Sequence, residues 1–368
     1  MLIKDMKYSY NDITIVPAPI TTVEHRSDCN PYLNDGMLPI FTAPMTSVVC
    51  EDNFELFESN KINAILPRSY AFDTRKEFAL KGKWAAFSLQ EFESNFIEKI
   101  ENEVAPKILI DIANGHMQKL YDLVRQSKDN WGEKNIIIMI GNIANPLTYK
   151  EVVDCGADYV RCSIGSGAGC ITSTQTSIHY PLASLIQETY LVKKQISEQE
   201  GVSMDSLPKI IADGGVRNYS DVIKALALGA DYVMIGSLLS SLVESAAKTY
   251  LDDYEVLPLS RHKVVEHDGI FTITDKENGK LYSSNDLKKL YYGMASKQGQ
   301  IDMFGSKQKT AEGIIRYIKV TTNLNKWVEN MIAYLQSAMS YTNIFRVSDF
   351  DTVTTIVIST NTYVSVNK

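Results

Sequence analysis

Eight short apolar runs, each closed by small or polar residues, constrain this chain more than any other feature. They occupy residues 38–44, 62–67, 84–88, 108–113, 136–142, 159–164, 209–215 and 232–237. Within each run the apolar residues are continuous rather than alternating, the pattern of strands covered on both faces. Between runs, residues 92–102 and 117–127 carry apolar side chains at three- and four-residue spacings, as an amphipathic helix does. Residues 220–228 open on Ser220, a plausible N-cap, and stop at Gly229; residues 146–153, followed by Gly156-Ala157-Asp158, repeat that design. Eight strands alternating with helices predict an α/β chain folded as a (β/α)8 TIM barrel.

The 368 residues are 45% hydrophobic and 22% charged, enough to bury a large core. Length alone would allow two domains, but barrels of this size form one, so residues 1–368 are read as a single barrel. Two regions fall outside the repeat. Residues 250–292 contain the turn pairs Asp268-Gly269 and Asn278-Gly279, and segments 269–274 and 280–282 read as a small hairpin. Residues 292–313 are rich in Gly, Lys and Gln and suit a mobile flap beside the barrel mouth. Together, 250–313 form the expected insertion and flap. A C-terminal tail, 350–368, carries a strand-like stretch at 353–360 suited to pairing with a neighbouring chain.

The net charge of −7 leaves no basic surplus to neutralise phosphates, which argues against nucleic acid as a partner. A single small anion stays compatible, because a few backbone amides can hold one phosphate. No apolar run approaches membrane-spanning length, and the N-terminus lacks a signal-peptide core. Five cysteines without paired spacing suit a reducing compartment, so a cytoplasmic protein is expected.

In a barrel of this kind, chemistry sits at the C-terminal ends of the strands. The polar residues closing the runs are therefore the candidates: Asp111, Asn114, Asn142, Cys170, Asp213 and Ser237. Cys170 ends the loop Gly165-Ser166-Gly167-Ala168-Gly169, where glycines allow tight bending and close approach to a ligand. A cysteine there serves either as a nucleophile or as a small apolar filler. Gly215 and the pair Gly236-Ser237 end the seventh and eighth runs, where barrels commonly build a phosphate site. His116 and His179 have no further ligands at metal-binding spacing, so no transition metal is expected.

Four ordered segments resemble the IMP dehydrogenase/GMP reductase family: residues 165–172, 210–216, 233–238 and 292–296. The resemblance implies that Cys170 bonds covalently to purine C2 and that Thr172 works beside it. It implies that Asp213 takes ribose hydroxyls, and that Gly214, Gly215, Gly236 and Ser237 surround the phosphate, with Ala168 in place of a common serine or lysine. Gly293, Met294, Ala295 and Ser296 match the segment contacting the base, and Lys309 stands where an arginine is frequent. Thr310-Ala311-Glu312-Gly313 resembles the reductase segment with its catalytic glutamate, Glu312. Asp111, Ala113 and Asn114 match the cofactor side. No regulatory insert separates Pro67 from Trp84, and residues 292–313 lack the Arg-Tyr pair of the dehydrogenase flap. The reductase branch implies NADPH-dependent deamination of GMP, or of a related guanine nucleotide, to IMP and ammonia, in a homotetramer. It also implies an optional potassium ion on the carbonyls of Gly165 and Gly167. The alternatives are a dehydrogenase oxidising IMP to XMP with NAD, and a purine-nucleotide binder without catalysis. Pro44, Thr46 and Ala168 depart from the family pattern near the substrate.

Overall fold

A computed structural model describes residues 5–132, 135–252, 254–256, 263–267, 270–274, 279, 281–306 and 310–358. All eight apolar runs form strands. They are β1 (Ile40–Thr42), β2 (Ile65–Leu66), β3 (Trp84–Phe87) and β4 (Lys107–Asp111). Then follow β5 (Ile137–Ile143), β6 (Tyr159–Cys162), β7 (Lys209–Asp213) and β8 (Tyr232–Ile235). The sheet is parallel throughout, in the order β1-β8-β7-β6-β5-β4-β3-β2. A parallel bridge between Phe41 and Asn63 joins its two ends. The result is the (β/α)8 barrel that the pattern predicts.

Helices α1 (Glu51–Ser59), α2 (Phe72–Leu80), α3 (Leu89–Asn95), α4 (Gln118–Trp131) and α5 (Tyr149–Asp154) surround the first half. The second half carries a short α6 (Thr172–Thr176), then α7 (Leu182–Glu200) and α8 (Tyr219–Ala227). On α4 the buried side chains Leu120, Tyr121, Leu123, Val124, Ser127 and Trp131 follow the helical period.

Helix α4 runs past residue 127 to Trp131, and α5 starts at Tyr149 after a tighter turn at Pro146–Thr148; α3 and α8 differ from expectation through their caps and partners. Helix α3 spans Leu89–Asn95 rather than residues 92–102. Ser88 and Glu91 form a reciprocal capping box that starts it early. It stops because the Phe96 carbonyl accepts from Ser127 Oγ and Trp131 Nε1 of α4, and the Ile97 carbonyl from Asn130. Helix α8 is capped by Asn218, whose side chain accepts from the Asp221 amide at 3.0 Å, and not by Ser220.

The N-terminal half of the barrel is plugged by aromatic rings. Phe41 meets Trp84, Tyr159 and Tyr232 edge-on, at centroid distances of 5.7, 6.1 and 5.0 Å. Ile65, Leu109, Met139, Ile211 and Met234 fill the layers above. The opposite end, at the strand C-termini, is left for ligands.

Two carboxylates at the plugged end repeat one motif. Asp158, just before β6, accepts from the Ile138 amide of β5 at 2.7 Å and from Lys128 of α4 at 2.6 Å. Asp231, just before β8, accepts from the Ile210 amide of β7 at 2.7 Å and from Lys193 of α7 at 2.9 Å. The Lys193 side chain is 3% exposed, so its charge depends on this partner. Asp231→Ala is expected to lower unfolding stability by about 3 kcal/mol, because it strands a buried ammonium. A denaturant midpoint unchanged from wild type would refute that.

Past β8 comes the single turn α9 (Ser237–Ser240), then the insertion. The insertion is richer than the predicted hairpin. Strands β9 (Thr249–Leu251) and β10 (Tyr254–Val256) are followed by β11 (Lys263–His267), β12 (Ile270–Thr274) and β13 (Leu281–Ser283). Strands β14 (Leu287–Tyr292) and β15 (Ile315–Lys319) return to the barrel, separated by α10 (Lys297–Phe304). The expected hairpin is present as β12–β13, pairing Ile273 with Tyr282, but β11 adds a third strand. A second antiparallel sheet runs β10-β9-β14-β15. Residues 292–313, read as a flap, include α10.

Val243, Ile273, Tyr282, Leu287 and Val320 make a small separate core beneath these strands. Lys289 of β14 is buried there and donates to the carbonyls of Val243, Ser245 and Ala247 at 3.0, 3.2 and 3.3 Å. Burial pushes its pKa down to about 7. These contacts hold β14, which leads directly into Gly293 and Met294, against the loop after α9. The last helix, α11 (Leu324–Tyr341), packs on α8. In the tail, Thr355–Val357 pairs antiparallel with Ile13–Ile15 of the same chain. No helix among the described residues is long and apolar enough to cross a membrane.

Candidate active site

At the C-terminal ends of the strands lies a cavity of about 330 Å³. Its walls bring together Asp111, Ala113, Asn142, Arg161, Cys170, Thr172, Asp213, Gly214, Gly293, Met294, Ala295 and Glu312. A larger cavity, about 480 Å³, lies at the opposite end beside Asp231. Its Lys193, Lys209 and Arg346 are all paired with aspartates, and no cysteine lines it. Volume alone favours that cavity; reactive groups favour the mouth.

The loop after β6 presents Cys170 to the mouth through contacts that only glycine permits. A side chain on Gly169 would begin 2.9 Å from the Gly293 amide nitrogen and 3.1 Å from the Tyr291 ring. Gly214 has φ +85°, and its Cβ would sit 3.1 Å from the Gly167 nitrogen. The loop therefore packs backbone-to-backbone against both the end of β7 and the segment after β14.

That packing recruits Glu312 from far along the chain. Cys170 and Gly313 form an antiparallel bridge: the Ile171 amide donates to the Glu312 carbonyl, and the Ile314 amide to the Gly169 carbonyl, both at 2.9 Å. The Glu312 side chain thereby meets Thr172, the first residue of α6. The Cys170 thiol donates to Thr172 Oγ1 at 3.2 Å, and Thr172 Oγ1 donates to Glu312 Oε2 at 2.6 Å. Thiol, hydroxyl and carboxylate form one line of proton-carrying groups.

A second network crosses the mouth. Arg161 of β6 donates through one Nη to Asp111 Oδ1 at 2.6 Å. Its Nε and other Nη reach Asp213 Oδ2 at 3.2 and 2.8 Å. Asn142 Nδ2 donates to the same oxygen at 2.6 Å. Burial works against the guanidinium charge, but Asp213 and Asp111 outweigh it and hold the group cationic. Arg68 donates to the Asp111 carbonyl at 3.1 Å. Tyr291 also lines the cavity; burial pushes its phenol up to about 12, so it stays a neutral donor.

Several expected site residues stand off the cavity wall. Gly215 packs against Leu182, and Gly236 caps α9, which begins at Ser237. Ala168 does not line the cavity. Ser296 caps α10, its Oγ accepting from the Gly299 amide at 3.1 Å. Asn114 accepts from the His116 amide, closing a turn. Lys309 lies outside the described residues. The Gly165 and Gly167 carbonyls already accept from Ser173 Oγ and the Cys170 amide. Among the described residues, no group of three His, Cys, Asp or Glu side chains is placed to hold a metal ion.

Sequence reasoning missed Arg161, Arg68 and Tyr291. Arg161 did carry a signal: an arginine inside an apolar strand run cannot be buried without a charged partner.

Residues 75–257 match the family described as the IMP dehydrogenase / GMP reductase domain. A GMP reductase of Staphylococcus saprophyticus is 29% identical over 348 residues, covering 91% of this chain and 90% of its own. A GMP reductase of Staphylococcus epidermidis is 29% identical over 346 residues, covering 91% of each chain. One from Streptococcus pyogenes is 28% identical over 346 residues, covering 91% of this chain and 90% of its own. With the barrel, the cysteine loop at its mouth and these matches together, the chain belongs to the IMP dehydrogenase/GMP reductase family of purine-nucleotide oxidoreductases.

Proposed function

We propose that this chain is a GMP reductase, converting GMP and NADPH, with two protons, to IMP, NADP+ and ammonium. The observation that carries this reading is the line from Cys170 through Thr172 to Glu312. Reductive deamination must expel the C2 amino group, and an amide ion is too basic to leave unaided. A carboxylate joined through a hydroxyl to the nucleophile can move the proton that the departing nitrogen needs. Cys170 would pass its proton along that line and bond through sulfur to C2; the C2–N bond then breaks as nitrogen takes up the proton. NADPH supplies a hydride to C2, after which the C2–S bond breaks and the thiolate is restored.

Asp213 suits ribose hydroxyls, because its Oδ1 accepts no hydrogen bond from the described residues while Oδ2 is occupied. The phosphate would extend past the cavity wall, onto the backbone of Gly215 and Gly236 and onto Ser237. Gly293, Met294 and Ala295 would face the base. The wall on β4 fits a nicotinamide: Ile112 and Ala113 are uncharged, and Asp111 keeps Oδ2 without a partner among the described residues.

The test is direct. With GMP and NADPH, nicotinamide absorbance should fall in proportion to ammonia released. A rise with IMP and NAD instead would make the chain a dehydrogenase. No change in either assay, with nucleotide still bound, would leave a binding protein without catalysis.

A further inference from the structure

Asp111 and Asp213 stand on strands three apart, and the proposed function assigns them to different ligands: Asp111 to the dinucleotide, Asp213 to the ribose of the mononucleotide. One side chain joins them. We propose that Arg161 is a positioning residue that couples the two ligands, so that binding of either tightens binding of the other. This inference rests on the proposed assignment of the two carboxylates.

The coupling follows from the shape of the link. A guanidinium is a planar, rigid fork whose donors keep fixed directions. Arg161 uses one prong on Asp111 and the opposite edge on Asp213. Its side chain is 8% exposed. Its Cβ lies 2.6 Å from where a side chain on Gly141 would begin, so the stem is confined between β5 and β6. Confined in this way, the fork cannot follow one carboxylate without moving relative to the other.

Each carboxylate keeps one oxygen for a ligand. On Asp213 three donors crowd Oδ2 and none among the described residues takes Oδ1. On Asp111 the fork takes Oδ1 alone. A hydroxyl bound to Asp213 Oδ1 fixes that carboxylate, hence the fork, hence Asp111. The second ligand then meets a group already ordered, and its binding no longer bears that ordering entropy. Linkage makes the effect reciprocal.

The test uses full-length protein with IMP and NADPH, a pair in which both partners are already reduced and no hydride can pass. Calorimetric titration of each ligand, alone and with the other saturating, yields the coupling factor without turnover. In wild type, each should tighten the other by roughly 5- to 10-fold. Arg161→Lys keeps the charge but has one ammonium and cannot fork. The coupling factor compares one protein with and without its second ligand, so it is read apart from any change in the separate affinities, and it should fall below about twofold. Asn142→Ala removes a donor from Asp213 but leaves the fork, and should keep the coupling; it controls for general loosening of the mouth. The proposal is overturned if wild type shows no coupling, if Arg161→Lys retains it, or if Asn142→Ala loses it equally. Coupling without GMP-dependent NADPH oxidation would refute the reductase reading alone. Oxidation without coupling would refute this inference alone. Failure of both ligands to bind would refute both.

Discussion

Cys170→Ala is expected to lower kcat for GMP-dependent NADPH oxidation by roughly 10⁴-fold or more, since it removes the atom proposed to bond C2. Binding should survive. Asp213, Arg161 and the Gly293–Ala295 backbone do not depend on the sulfur, and the loop is held by backbone bonds at Gly167, Gly169 and Ile171. Calorimetry should therefore return an IMP affinity near that of wild type alongside the lost rate. Cys170→Ser should not rescue the rate, because an alcohol at this position is far less ionised than a thiol. Mass spectrometry of wild type quenched during turnover should find a purine adduct on the peptide carrying Cys170. Turnover by Cys170→Ala within tenfold of wild type would end the covalent mechanism.

The second large effect is expected at Glu312. Glu312→Gln keeps size and an oxygen able to accept from Thr172 Oγ1, so the 2.6 Å contact can persist. What it loses is the capacity to take up and hand on a proton. The steady-state rate should fall by about 10²- to 10³-fold with little change in KM for GMP. The reverse half-reaction supplies the control. IMP with NADP+ can form NADPH and the Cys170 adduct without ammonia taking part, so that step, which asks only for the thiol's proton, should fall less than the full reaction. If the half-reaction falls as far as the full reaction, Glu312 serves the thiol or the loop rather than the departing amine. If kcat barely changes, Glu312 has no role in expelling the amine.

The barrel was legible because its signals are local. A continuous apolar run identifies a strand covered on both faces wherever that strand lies, and a glycine such as Gly229 ends a helix by backbone conformation alone. The boundaries that differed were those decided by partners far away. Helix α3 ends where Ser127 and Trp131 of α4 claim the Phe96 carbonyl, about thirty residues on. The insertion's second sheet is hidden for the same reason: β9 has three residues, and the β9–β14 and β14–β15 pairs join segments distant in sequence.

The candidate site divides along the same line. The sequence by itself determined which residue types stand at the strand ends, among them Asp111, Asn142, Cys170 and Asp213, because strand position follows from periodicity. Resemblance to a family added Thr172 and Glu312 without saying how they meet. Only the tertiary structure decided that Glu312 reaches Thr172 through a backbone bridge at Cys170 and Gly313. Only it decided that Arg161 spans Asp111 and Asp213 rather than pairing with one of them. The physical reason is that barrel closure brings the ends of non-adjacent strands within a side chain's reach. Which donor then meets which oxygen depends on the curvature and register of the whole sheet, and no local stretch of sequence specifies those.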